Sequence, residues 1–209
     1  MGTGANCIYP IIGSQSYGWQ FVGSDIDPVA VKTAGVMIQS NANLKPHIEL
    51  RQQKDISAIF RGIISQTDRF DITLCNPPFH GSLAEAIVGN QRKTENLGNN
   101  KKEARHTPVK DGANFGGQNG ELYCEGGETS FLKRVAGESK QFGQQVCWFS
   151  SLVSKGDNVR LLKRQLKKLG AVDTQVLEMK QGNKVSRVIA WSYLDQAARK
   201  AWADKHWVE

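Results

Sequence analysis

At 209 residues with 39% hydrophobic content, the chain can form one large domain around a sizeable core, and a single domain spanning residues 1–209 is expected. The sequence has no run of about 18 apolar residues and no basic-then-apolar leader, so a membrane helix and export are not expected and a cytoplasmic protein is. Lys and Arg outnumber Asp and Glu 27 to 20, a formal charge of +7, which favours a polyanionic partner without naming it. Cys7, Cys75, Cys124 and Cys147 stand far apart, with no C-x-x-C pair and no His at ligand spacing, so reduced thiols are expected and neither a metal site nor a disulfide framework.

The chain opens on Met1-Gly2-Thr3-Gly4-Ala5-Asn6, a G-x-G turn of the kind used where backbone must pass close to a ligand. A strand over residues 20–24 follows, ending in Asp25-Ile26-Asp27. A carboxylate about 20 residues past such glycines can accept hydrogen bonds from ribose hydroxyls. Asp25 as the mere start of a turn before Pro28 is the simpler alternative. The strand that should lead into Gly2 is central in this topology, and the sequence begins at the turn itself. The expectation is that this strand and an N-terminal region are missing, leaving unpaired backbone in the sheet unless another segment fills the gap.

Residues 29–41 carry a helical pattern, residues 48–51 a strand, and residues 56–64 place Ile56, Ile59, Phe60, Ile63 and Ile64 on one helical face. An apolar strand over residues 70–75 then runs into Asn76-Pro77-Pro78-Phe79. Prolines end strands, and Asn-Pro is an ordinary turn. Yet ligands in open α/β sheets bind at the carboxyl ends of strands, and the residue types suit an exocyclic amine. The Asn76 side-chain oxygen and the Pro77 carbonyl can accept its N–H groups, Pro78 stiffens the loop and Phe79 can stack on a base. His80 reads better as a neighbour of this pocket than as a general base.

Residues 89–120 are polar, rich in Asn, Gly and Lys, and read as a long mobile loop. Its cations (Arg92, Lys93, Lys101, Lys102, Arg105, Lys110) could order on a phosphate backbone, or the segment could be a solvated insertion. Helical character returns over 129–142 and again over 160–169, a basic amphipathic helix whose polar face reads first as solvated surface. Strands are expected at 145–150, 172–178 and 185–193, the last two joined by Gln181-Gly182-Asn183-Lys184 as an antiparallel hairpin. Strand and helix alternate, so the expected class is α/β with a mostly parallel sheet ending in that hairpin, the layout of the Rossmann-like class I methyltransferases.

The words Gly2-Thr3-Gly4-Ala5-Asn6-Cys7-Ile8-Tyr9-Pro10, Cys75-Asn76-Pro77-Pro78-Phe79-His80, Glu125-Gly126-Gly127-Glu128 with Phe131-Leu132-Lys133-Arg134, and Gln181-Gly182 with Ala190-Trp191-Ser192 extend the case. Together they resemble the ribosomal RNA large subunit methyltransferase F family and its eukaryotic methyltransferase-like relatives. The resemblance implies transfer of a methyl group from S-adenosylmethionine to N6 of an unpaired adenine in 23S ribosomal RNA, free or in an assembly intermediate, with neither metal nor membrane. It implies Gly2, Gly4 and Asn6 at the methionine end of the cofactor, Asp25 at the ribose and Asp55 near the adenine ring. Asn76, which would also border the cofactor, Pro77, Pro78 and Phe79 would hold the target base. No role follows for Glu125 or Glu128 beyond shaping the pocket or a cofactor lid. Two alternatives stay open: methylation of a protein glutamine amide, and an RNA-binding module of the same fold without turnover.

Overall fold

The computed structural model describes residues 1–78, 124–181 and 184–207. The segment 89–120, Phe79 and His80 lie outside the described residues.

The chain builds β1 (Phe21–Asp25) and β2 (Ile48–Gln52) as a parallel pair, with Phe21 opposite Ile48 and Asp25 opposite Gln52. Helix α1 (Ile8–Tyr17) precedes this pair and α2 (Pro28–Gln39) crosses between its strands. Asp27 starts α2 by accepting the Val29 N–H at 2.8 Å, with Pro28 in the first turn where a missing N–H is harmless.

A second sheet has the order β3 (Phe70–Ile72), β4 (Val146–Val153), β6 (Lys184–Ser192), β5 (Asp173–Gln181). β3 and β4 pair in parallel, with Phe70 opposite Val146. β6 is antiparallel to both β4 and β5, so within this sheet β6 alone is reversed. The expected C-terminal hairpin is present as the β5–β6 ladder, closing at Gln181 opposite Lys184.

Helices α3 (Gly127–Ser139), continued by a 3₁₀ turn at Lys140–Phe142, and α4 (Gly156–Leu169) supply the core with Leu132, Val135, Leu162 and Leu166, all buried. They pack with Val146, Phe149, Ile189 and Trp191 of the sheet. Phe149 and Trp191 stack at 5.8 Å between centroids, and Phe60 meets Phe149 edge-on at 5.4 Å. The Trp191 indole N–H is satisfied inside the core by Ser139 Oγ at 3.0 Å. The last helix, α5 (Gln196–His206), is anchored by Trp202, whose Nε1 donates to Asp71 on β3 at 2.7 Å.

Among the described residues no ladder joins β1 to β3. Residues 1–3 span the gap between them at the carboxyl ends: the Met1 amino group donates to the Leu74 carbonyl at 3.2 Å and the Thr3 N–H to the Ser24 carbonyl at 3.0 Å.

Two expectations need correction. Residues 56–64 form turns, not a helix: the N–H groups of Ile59, Phe60 and Arg61 donate to the Glu138 carboxylate, and Gly62 adopts φ 78°. The strand at 70–75 is regular only over β3. Beyond it the chain stays beside β4 through single bonds, Thr73 N–H to the Trp148 carbonyl and Leu152 N–H to the Cys75 carbonyl, both 2.9 Å. Helices α1 and α5 were not anticipated. α1 leaves Ile8, Tyr9 and Ile12 about half exposed, so it has no clean apolar stripe to read.

Candidate active site

The Gly-rich turn has the backbone that its glycines permit: Gly2 at φ 62° and Gly4 at φ 64°, in the left-handed region. Asp25, ending β1 and 6% exposed, closes the turn from below. One carboxylate oxygen accepts the Gly4 N–H at 2.8 Å and the other the Asp27 N–H at 3.0 Å. Each oxygen keeps further acceptor capacity for a hydroxyl pair. Gly23, which the sequence reading passed over, is a close-approach position: a Cβ there would lie 2.9 Å from both Leu50 Cδ2 and Thr3 Oγ1. The chain then enters α1 through Cys7, the one non-glycine residue at positive φ (50°) among those described, with its side chain fully buried.

The segment after β2 starts from a backbone link to the same strand end, Gln53 N–H to the Asp25 carbonyl at 2.8 Å. Asp55 caps its first turn, accepting from Ser57 N at 2.8 Å and Ser57 Oγ at 2.6 Å. These hydrogen bonds, with Arg61 nearby, hold its carboxyl below the usual carboxylate range. After β3, Cys75 is buried, with its thiol pushed up to about 11 by burial; Asn76 is exposed, Pro77 buried and Pro78 half-buried.

These pieces meet in one cleft of about 2350 Å³ at the gap between β1 and β3. Gly2, Gly4, Asn6, Asp25, Asn76, Pro77 and Pro78 all line it. Asp55 does not: its side chain turns to Ser57 and Arg61, while Gln53, Ile56 and Phe60 of the same segment are among the residues that line it. Glu125 lines the cleft and Glu128 is not among its walls.

Glu128, 2% exposed, accepts from Ser154 N–H at 2.6 Å, Lys155 N–H at 3.2 Å and Asn158 Nδ2 at 2.6 Å, tying the start of α3 to the start of α4. Glu138, at the other end of α3, holds the 59–61 turn. Both roles escaped the sequence reading. A Glu in a first helical turn could have hinted at Glu128, whereas nothing local marks Glu138, whose partners lie 77 to 79 residues away. Among the described residues no three His, Cys, Asp or Glu side chains are grouped to hold a metal, and no helix is long and apolar enough to cross a membrane.

Comparison with known proteins bears on this geometry. The profile of an RNA methyltransferase family matches residues 1–195. The chain is 59% identical over 193 residues to ribosomal RNA large subunit methyltransferase F of Desulfotalea psychrophila, covering 92% of this chain and 61% of the relative. It is 51% identical over 207 residues to the protein of the same name from Pseudomonas paraeruginosa, covering 99% and 61%. Thus the chain spans about three-fifths of the length of these relatives. Among solved structures it is similar to the human METTL16 catalytic domain bound to a MAT2A 3′UTR hairpin, with TM-score 0.71, 29% identity, and 93% of this chain and 63% of that one covered. The N-terminal domain of human METTL16 in complex with SAH gives TM-score 0.65 at 25% identity, covering 93% and 60%. The fold is accordingly Rossmann-like, of the methyltransferase kind.

Proposed function

The chain belongs to the RNA methyltransferase family, and on that premise we propose that it forms the core of an enzyme transferring the methyl group of S-adenosylmethionine to N6 of an unpaired adenine in 23S ribosomal RNA. The observation that carries this reading is the shared cleft: a glycine turn closed by a buried carboxylate, beside Asn76-Pro77-Pro78. The METTL16 structure that holds SAH supports the cofactor class, and the RNA-bound one supports the substrate class. A ribosomal RNA substrate also favours a cytoplasmic setting.

The residues fit the cofactor. Gly2 and Gly4 let backbone approach it, Asn6 borders the same wall, and Asp25 retains lone pairs for ribose hydroxyls. We assign Asn76 Oδ1 and the Pro77 carbonyl to the two N–H groups of the adenine amine, with Pro78 stiffening the turn and Phe79 stacking on the base. Held there, the nitrogen directs its lone pair at the sulfonium methyl. S-adenosylmethionine, when bound, would supply an electrophilic methyl group and keep the S–C electron pair on sulfur as the N–C bond forms, and the proton displaced from nitrogen would pass to water. Such a step needs alignment more than a strong base. A base in a duplex cannot enter a cleft of this kind, so the target is single-stranded or flipped out.

The test is incubation of the chain with labelled S-adenosylmethionine and protein-free large-subunit RNA, followed by nucleoside analysis. The expected result is N6-methyladenosine, lost with Asn76→Ala. Label in protein alone, or in another nucleoside, would overturn the assignment.

A further inference from the structure

We propose that Glu138 is a positioning residue for the cofactor, acting through the turn at residues 59–61 without touching the cofactor itself. The inference rests on the methyltransferase reading given above.

Glu138 is carried on the last turn of α3 and is 9% exposed. Its two oxygens accept three successive backbone N–H groups, from Ile59 at 2.8 Å, Phe60 at 2.9 Å and Arg61 at 2.5 Å. Three amides converging on one ionised carboxylate make an anion nest, and charge-assisted hydrogen bonds of this kind are the stronger class. The segment they fix is the one that failed to become a helix, so its amides have no ladder of their own. Its other polar tethers include Gln53 Nε2 to the Arg61 carbonyl at 2.8 Å, Arg51 Nη1 to the Ile63 carbonyl at 2.7 Å and Arg134 Nη1 to the Ile56 carbonyl at 3.3 Å, while Ile59 and Phe60 pack into the core.

What gives the nest a consequence for function is where the segment lies. Ile56, Ser57, Ala58, Ile59 and Phe60 form a wall of the cleft that also holds Gly2, Gly4 and Asp25. Gln53 links the segment's start to the Asp25 carbonyl. Glu138 therefore anchors this wall to the rigid core, since Val135 and Ala136 of the same helix are fully buried there. A preformed wall lets the cofactor bind without first ordering the loop.

The decisive variant is Glu138→Gln, which keeps shape but replaces one acceptor oxygen by an NH₂ group facing an N–H donor. The expected result is an SAH dissociation constant at least about tenfold weaker by calorimetry. Hydrogen exchange at the 59–61 amides should be faster while β4 and β6 keep wild-type protection. In turnover, KM for S-adenosylmethionine should rise with kcat at saturation within about twofold of wild type. Should this variant not fold, Glu138→Asp, which keeps the charge, is read by the same three measurements. SAH affinity within twofold of wild type, or loss of protection throughout the sheet, would overturn the proposal while leaving the methyltransferase reading in place. Failure of the wild-type chain to bind SAH would overturn both.

Discussion

Asn158 donates from Nδ2 to a Glu128 carboxylate oxygen at 2.6 Å, with the two residues 5% and 2% exposed. The same carboxylate takes the N–H groups of Ser154 and Lys155, and Thr129 Oγ1 donates to Asn158 Oδ1 at 2.7 Å. A negative charge therefore sits at the N-terminus of α4, where the helix has free N–H groups and the positive end of its dipole. Removing it leaves the buried Asn158 amide and the part-buried Ser154 and Lys155 N–H groups without this acceptor. Glu128→Ala is expected to destabilise the fold by about 2–4 kcal/mol in urea denaturation. A loss under about 1 kcal/mol would show that water replaces the carboxylate and that the clamp is dispensable.

Asp25 bonds the Gly4 and Asp27 amides at 2.8 and 3.0 Å, so it shapes the glycine turn and also offers lone pairs to the cleft. Asp25→Ala removes both contributions. SAH binding to the variant should be weaker by more than about tenfold, or 1.4 kcal/mol. Equal binding in calorimetry would remove Asp25 from the cofactor site.

How much of this was legible in the sequence depended on the range of the interactions. The strands at 48–52, 146–153 and 184–192 and the closing hairpin could be read because alternation and turn residues are local signals. The glycine turn and its acidic partner could be read because their spacing is a feature of the sequence itself. The 56–64 segment could not: its apolar residues do enter the core, Phe60 at 2% exposed, but the N–H groups of residues 59–61 are taken by Glu138, far along the chain. Gly23 escaped for a similar reason, since its constraint comes from Thr3 and Leu50 packing against it.

Asp68 and Arg51 make the fold sensitive to acid. Burial opposes ionisation of Asp68, but hydrogen bonds from Arg51 and Ser65 outweigh it and hold the carboxyl below its usual range. Arg51 also reaches Glu49, and its guanidinium is held still more firmly charged. With the folded pKa below the unfolded one, the pair's contribution is complete above the unfolded value near about 4 and fades as pH falls through the folded value. Asp68→Asn should therefore lower stability at neutral pH and flatten the loss as pH falls below about 4. Parallel urea midpoints for the two proteins across that window, offset by a constant amount, would contradict the pairing.

The four thiols should separate by reactivity. Burial pushes Cys7 and Cys75 up to about 11 and raises Cys147 as well, where the charge of Asp71 adds to the effect. At pH 8 a thiol with a pKa near 11 is ionised in roughly one molecule in a thousand, and all three side chains are 6% exposed or less. Cys124 is half-buried, donates to the Gly127 carbonyl at 3.2 Å and lines the cleft. A chromogenic disulfide reagent at pH 8 should label one thiol of the native protein, Cys124 by peptide mapping, and the other three only in denaturant. Because that thiol faces the cleft, saturating SAH should slow its labelling. Labelling of Cys75 at a comparable rate would mean that the strand leading into Asn76 opens to solvent, against its 6% exposure.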